Sequence, residues 1–356
     1  MSVQQKEHIM NTQATIEQRP TMLSVHRLWK VFGATEREFQ TVNGSSLSDE
    51  QIASRGWTAA VKDVSLEIKE GEIFVIMGLS GSGKSTLIRS MTRLNDPTSG
   101  KLIIAGQDLT KATDKMLQGL RRKSLGMVFQ HFALLPNRTV RDNISFPLEI
   151  QGIAKHEYKH KVENLIETVG LKGREEYFPN ELSGGQQQRV GIARSLANDP
   201  KVWVLDEPFS ALDPLIRADL QDEVLRLQKT LHKTVIFITH DLDEAIKIAD
   251  RIAIMENGRI VQVGTPAQLV THPANDYVKR FVSKVPLAKV TRLGDIMQPL
   301  QRGCNSNLKL SMEAIVETIA PEVIEENTDI IVTDQNQPVG QVTLSDFVKV
   351  LAGGAR

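Results

Sequence analysis

The sequence predicts an α/β protein: a sheet of strands buried on both faces, a helical subdomain inserted into it, and a small α+β region at the C-terminal end. Three observations carry this prediction. Residues 73–77, 202–205 and 235–238 are short runs that are apolar throughout, the pattern of strands covered on both faces, and each runs straight into polar residues. Between Gln130 and Leu182 the apolar spacing becomes helical, as in Val162, Leu165, Ile166 and Val169. After Val282 the pattern breaks at residues 283–286, and a separate stretch continues to Arg356.

Taken in order, residues 1–22 are polar and rich in Gln, Thr and Glu, and read as a loose tail. Residues 23–31 alternate well enough for a strand. Residues 35–56 form a polar insertion, with a turn at Asn43-Gly44-Ser45-Ser46 and a short capped helix over 47–52. Residues 64–68 alternate cleanly, and Glu70-Gly71 turns that strand into 73–77. Gly78-Leu79-Ser80-Gly81-Ser82-Gly83-Lys84-Ser85 then fits the phosphate-binding P-loop pattern, followed by a helix with the stripe Leu87, Ile88, Met91 and Leu94. The expected organisation is a core over 23–283, with its helical subdomain over about 130–190, and a C-terminal region over 284–356.

Composition narrows the function classes. Lys+Arg and Asp+Glu are both 43, a formal net charge of zero, which argues against a nucleic-acid partner. The single Cys304 excludes an intrachain disulfide and fits a reducing compartment. No apolar run approaches the roughly 18 residues of a membrane span, and the N-terminus has no apolar signal region. The expected location is cytoplasmic, with any membrane role exercised through partners.

The chemistry gathers at strand ends, where open α/β sheets bind ligands. The glycines of the loop let its backbone wrap tightly, so that N–H groups of Gly78, Ser80, Gly81, Ser82 and Gly83 aim at phosphate oxygens. The following helix adds the positive end of its dipole. Lys84 is expected to reach the β- and γ-phosphates, Ser85 to ligate Mg²⁺, and Thr86 to contact the α-phosphate. Asp206 and Glu207 end an apolar strand, and adjacent strand residues face opposite ways. Two roles are therefore available: Asp206 for Mg²⁺, and Glu207 as general base toward the attacking water.

A second glycine motif, Leu182-Ser183-Gly184-Gly185-Gln186, selects among P-loop proteins. Together the two motifs resemble the ATP-binding subunit of an ABC transporter, over nearly all of residues 23–283. The resemblance implies an ATPase that uses ATP and Mg²⁺. It also implies that Gln130 touches Mg²⁺ and the attacking water, that His240 contacts the γ-phosphate, and that Asp213 links the two sites of a dimer. Phe32 sits where the family has its base-stacking aromatic, with Trp57 as the rival. Ser183, Gly184, Gly185 and Gln186 would cap the γ-phosphate held by a second copy, giving two ATPs sandwiched head-to-tail.

Residues 73–86, 127–143, 210–217 and 241–265, and the insertion at 47–52, are similar to bacterial importers of glycine betaine, proline and related quaternary amines. Such subunits sit on the cytoplasmic face of the membrane and work with a permease and an extracytoplasmic substrate-binding protein. The permease would dock beside residues 130–147, where Phe132, Leu134 and Leu135 are either contact or core residues. The C-terminal region resembles a cystathionine-β-synthase (CBS) module: Asp295-Ile296-Met297, a helical stretch at Met312, Ala314 and Ile315, the strand at 330–332, and a motif at 340–346 with Thr343 and Asp346. Only one such motif is present, which fits either regulation or dimer bracing. Two other classes stand beside the importer reading, a soluble ABC-type ATPase of translation or DNA repair and a nucleotide sensor that does not hydrolyse. The absence of a second cassette or long coiled coil opposes the first, and intact Glu207 and His240 oppose the second.

Overall fold

The computed structural model describes residues 18–130, 132–300 and 306–353. Most of the expected N-terminal tail lies outside them, and so does Cys304. Strand β1 (Thr21–Phe32) already begins inside that tail, because Thr21 pairs with Lys69 of β2 (Thr58–Lys69). Between them the insertion folds as two short helices, α1 (Glu36–Thr41) and α2 (Asp49–Ala53). Each opens on a capping box, Thr35 with Glu38 and Ser48 with Gln51, which satisfies the first-turn amides reciprocally. Helix α1 was not expected from its polar sequence. It forms because Phe39 and Ile52 bury against Trp29 and Val31 of β1, so the insertion has a core of its own.

Strand β3 (Ile73–Met77) is wholly buried and leads through the glycine-rich loop into α3 (Lys84–Met91). Next come β4 (Ser99–Ile104), β5 (Gln107–Asp108), α4 (Asp114–Lys123) and β6 (Leu125–Val128). The helical subdomain follows as α5 (Val140–Glu149), α6 (Lys155–Thr168) and α7 (Gly184–Leu196), whose helices pack on one another. The chain then alternates through β7 (Val202–Asp206), α8 (Pro214–Leu231), β8 (Thr234–Thr239), α9 (Leu242–Ile248), β9 (Arg251–Glu256) and β10 (Arg259–Gly264).

These strands form two sheets. One has the order β2-β1-β4-β5 and is antiparallel; the other has the order β10-β9-β3-β8-β7-β6, in which β9, β3, β8, β7 and β6 run parallel. Leu87, Ile88 and Met91 of α3 share one core with Leu23 and Val25 of the first sheet and Phe74, Ile76, Val204 and Ile236 of the second. The helix that starts at the loop is thus fixed by apolar burial from both sides. Because β3 lies between β9 and β8, with β7 and β6 beyond, the loop at residues 78–83 shares one sheet edge with the ends of β8, β7 and β6. That edge carries His240, Asp206 with Glu207, and Gln130.

Two compact units are distinguished, Arg19–Val261 and one containing Gln262–Arg356, so the expected break at 283/284 falls inside the second. That second unit begins with two helices that pack on each other, α10 (Pro266–Thr271) and α11 (Asp276–Val282). After α12 (Leu293–Ile296) a three-stranded sheet forms from β11 (Lys309–Ser311), β12 (Ile330–Asp334) and β13 (Gln337–Val342). Its core includes Val316 and Val323 of α13 (Val316–Glu326) and Phe347 of α14 (Leu344–Leu351). The helix expected at Met312, Ala314 and Ile315 is absent there and begins only at Val316. The Met312 amide donates to Thr333, and Ile315 bridges to Arg292, so sheet-edge bonds claim that backbone first.

Candidate functional site

A cavity of about 550 Å³ opens over the glycine-rich loop, lined by Leu79, Ser80, Gly81, Gly83, Lys84, Ser85 and Thr86, with Ala60, Glu207 and His240 opposite. Ala60 was not anticipated. Nothing in an alanine on an alternating strand marks it, and it reaches the site only because β2 passes against the loop. The approach is so close that a Cβ on Gly83 would lie 2.3 Å from the Ala60 carbonyl oxygen. Gly83 also has φ +102°, in the left-handed region that favours glycine, which turns the chain from loop to helix at one residue.

Helix α3 has no side-chain cap, so its first-turn N–H groups and dipole face the cavity as an anion site. Lys84 donates from Nζ to the carbonyls of Gly78 at 2.8 Å and Leu79 at 3.1 Å. An ammonium has three protons, so one remains for a phosphate oxygen. Burial pulls the Lys84 pKa down, and the carboxylates of Glu207 and Asp206 oppose that shift. Ser82 Oγ is buried without a hydrogen-bond partner, as expected of a group that awaits an anionic ligand.

The two members of the acidic pair have different surroundings. Asp206 ends β7 almost fully buried, and its Oδ1 lies 3.5 Å from Ser85 Oγ. Burial pushes its carboxyl above the usual range; the neighbouring Glu207 charge adds to this, while Arg89 counters it. Glu207 leaves the strand direction with φ +45°, and its amide donates to the Ile238 carbonyl at 3.0 Å. This places Glu207 Oε2 3.3 Å from His240 Nδ1. The carboxylate that was expected to act on water and the histidine that was expected to touch the γ-phosphate are therefore neighbours.

The donor set suits a hard cation. Ser85 Oγ and Asp206 Oδ1 are oxygen atoms side by side that could hold one, and the described residues contain no cluster of three or more His, Cys, Asp or Glu. Two protein oxygens completed by phosphate and water are the usual surroundings of Mg²⁺.

Other expected site residues are not among those lining this cavity. Gln130 is exposed just beyond β6, and Phe132, Leu134 and Leu135 after it are half-buried. Phe32 ends β1 opposite Thr58, 45% exposed, with Lys30 Nζ 5.1 Å from its ring centre. Trp57 instead packs against the small core of the insertion and carries Arg55 on its face. Phe32 is thus the more exposed of the two rings. Phe32→Ala should weaken ATP binding by about 1–3 kcal/mol, the worth of one stacked base, as read by a fluorescent ATP analogue. Trp57→Ala should lower thermal stability and leave that affinity nearly unchanged.

Ser183, Gly184, Gly185 and Gln186 also line no part of the cavity. Ser183 caps α7: its Oγ accepts from the Gln186 amide at 3.3 Å, and its own amide donates to Gln186 Oε1 at 3.0 Å. A Cβ on Gly185 would stand 2.5 Å from Ile216 Cγ2, so this glycine lets α7 press against the first turn of α8. Asp213 caps that same turn, accepting from the Ile216 amide at 3.1 Å. The second glycine motif and Asp213 thus form one packed surface, separate from the cavity in this chain.

In the C-terminal unit, Asp346 is fully engaged. Its Oδ2 accepts from Thr343 and Gln298, and its Oδ1 pairs with Lys349, which holds the carboxyl below its usual range. No helix of the described residues is long and apolar enough to cross a membrane.

With this geometry established, comparison with known proteins is specific. The family model described as ABC transporter matches residues 61–210. The trimethylamine N-oxide transport system ATP-binding protein TmoW of Pelagibacter ubique is 48% identical over 328 residues, covering 92% of this chain and 96% of that protein. The glycine betaine/proline betaine transport system ATP-binding protein ProV of Salmonella typhimurium is 51% identical over 276 residues, covering 77% and 69%. Among solved structures, the dimeric ATP-binding cassette MJ0796 in a post-hydrolysis state with ADP and Pi is similar at a TM-score of 0.58 and 31% identity, covering 69% of this chain and 99% of that one.

Proposed function

The chain belongs to the ATP-binding subunits of ABC transporters, and from that premise we propose that it hydrolyses ATP to drive import of a small quaternary amine or amine oxide of the glycine betaine and trimethylamine N-oxide class. The observation that carries the ATPase reading is the placement of Lys84, Glu207 and His240 around one cavity at the tip of α3. The likeness to TmoW over almost the whole of both chains supports the solute class. The permease and substrate-binding protein would be the partners through which the solute moves, and the chain would work on the cytoplasmic face of the membrane.

In this reading the loop amides and Lys84 hold the triphosphate, and Phe32 stacks on adenine. Ser85 and Asp206 would hold Mg²⁺, with Gln130 swinging toward it; the ion would neutralise charge between the β- and γ-phosphates. Glu207 accepts the proton of the attacking water as the water oxygen bonds to the γ-phosphorus and the bond from that phosphorus to the β,γ-bridging oxygen breaks, the bridging oxygen leaving with ADP. His240 positions Glu207 from one side and the γ-phosphate from the other. Ser183 and the amides at the tip of α7 would close over the γ-phosphate of a second copy, with Asp213 beside them. Loss of that phosphate removes what both copies share and lets them part.

The test is uptake of radiolabelled glycine betaine and trimethylamine N-oxide by cells in which this chain is the only ATP-binding subunit of its transporter. Lys84→Ala should abolish uptake of at least one of the two solutes. Unchanged uptake of both would refute the reading.

A further inference from the structure

Beyond the residues that meet nucleotide, we propose that Arg217 is a positioning residue which fixes Glu207 and His240 relative to each other by bracing the two backbone segments that carry them. The inference rests on the proposed roles of those two residues. Glu207 and His240 come from different strand ends, β7 and β8, and each is followed by a turn and then a helix. Their side chains are 3.3 Å apart, so a small shift of either segment separates them.

Arg217 sits in the first turns of α8 and reaches both segments. Its Nη2 donates to the Leu212 carbonyl at 3.1 Å, at the far end of the turn that begins with Glu207. That turn is otherwise pinned at its start, where the Ser210 hydroxyl donates to the Glu207 carbonyl at 3.1 Å. Nη1 of Arg217 pairs with Asp241 Oδ2 at 3.4 Å, on the residue directly after His240. The other oxygen of Asp241 accepts from the amides of Asp243 and Glu244, and its own amide donates to Thr239 Oγ1 at 2.9 Å. Asp241 is therefore held by the helix tip, by β8 and by Arg217 together. A planar guanidinium with forked donors suits a two-ended brace, whereas a lysine ammonium is a point charge on a flexible stem.

The chain of contacts runs from Leu212, beside Asp213, through Arg217 and Asp241 to His240 and Glu207. Around it, Gln221 Nε2 donates to the buried Glu244 carboxylate at 3.2 Å, which closes the space between α8 and α9. Arg217 makes no side-chain hydrogen bond or ion pair to a residue lining the cavity, so its removal should leave ground-state nucleotide binding alone. It should disturb only the alignment needed for proton transfer, where misplacement of about 1 Å can cost some 10²-fold.

The experiment measures steady-state phosphate release, ATP affinity and melting temperature for Arg217→Ala, Arg217→Lys, His240→Ala and the double variant Arg217→Ala/His240→Ala. The expected result is a kcat about 10–100-fold lower for Arg217→Ala, with KM and ATP affinity within about threefold of the parent. Arg217→Lys should not rescue it, and the double variant should be no slower than His240→Ala alone. Losses that multiply in the double variant, or a raised KM with kcat intact, would overturn the proposal. So would a wild-type rate for Arg217→Lys. If Arg217→Ala does not fold, Asp241→Asn retains the oxygen that caps α9, weakens the ion pair and should lower kcat in the same way.

Amide hydrogen exchange of the nucleotide-free protein gives a second readout that needs no hydrolysis. Arg217→Ala should speed exchange in both 207–213 and 239–244, and acceleration of only one segment would contradict the brace. A parent protein that releases no phosphate would refute the ATPase reading while leaving this exchange measurement decisive for Arg217.

Discussion

Glu207→Gln should retain ATP and lose its hydrolysis, with phosphate release falling by about 10²–10⁴-fold, the usual worth of a general base. Glutamine preserves the shape of the side chain and its reach to His240 Nδ1, now 3.3 Å from a carboxylate oxygen, but it cannot accept the proton of water. The change leaves the loop and the hydrogen bonds of Lys84 to the Gly78 and Leu79 carbonyls in place, so ATP affinity should hold. Because the γ-phosphate persists, the two copies that share it should remain together, and the variant with ATP and Mg²⁺ should elute from a sizing column as a dimer. Hydrolysis at the parent rate would remove Glu207 from its role. A variant that elutes only as monomer with ATP would instead argue against a shared phosphate.

Gly83→Ala should have an effect of a different kind: loss of nucleotide binding itself. The added Cβ would be placed 2.3 Å from the Ala60 carbonyl oxygen, a backbone atom of β2 that cannot swing aside. The residue would also have to keep φ at +102°, where an L side chain is strained. Strain and overpacking each cost about 1–3 kcal/mol. Relief comes only by moving the start of α3 away from β2, which displaces the amides and Lys84 from the phosphates. Titration with a fluorescent ATP analogue should show affinity reduced by about 100-fold or more. Binding at parent strength would mean that the loop tolerates the shift and that the close passage of β2 is not what shapes the cradle.

The sequence made the core strands legible because burial on both faces leaves an unmistakable signature: 73–77, 202–206 and 234–239 are buried at every position. The same runs placed the glycine-rich loop, Asp206, Glu207 and His240 at strand ends, and the sheet order brings those ends to one edge. What it hid were relations across elements. Ala60 is an inconspicuous residue of an alternating strand, and only the passage of β2 against the loop makes it part of the site. Helix α1 carried a readable signal, the Thr35 and Glu38 capping box, but its single apolar anchor, Phe39, gave no periodicity to notice. Arg217 looks like any charge on a helix, and its two partners, Leu212 and Asp241, lie on opposite sides of it in sequence. Glu207 has a backbone twist at φ +45° that no residue pattern announces.

Ser183 and Gly185 form no part of the wall over the loop in this chain. In the function proposed above, a second chain supplies them. The direct measurement mixes two single variants, Ser80→Cys and Ser183→Cys, each in a Cys304→Ser background, with a short bifunctional thiol reagent. A cross-linked heterodimer should appear with ATP and Mg²⁺, vanish with ADP, and be enriched when both chains also carry Glu207→Gln. Cross-linking that is indifferent to nucleotide, or absent with ATP, would contradict a phosphate shared between two chains.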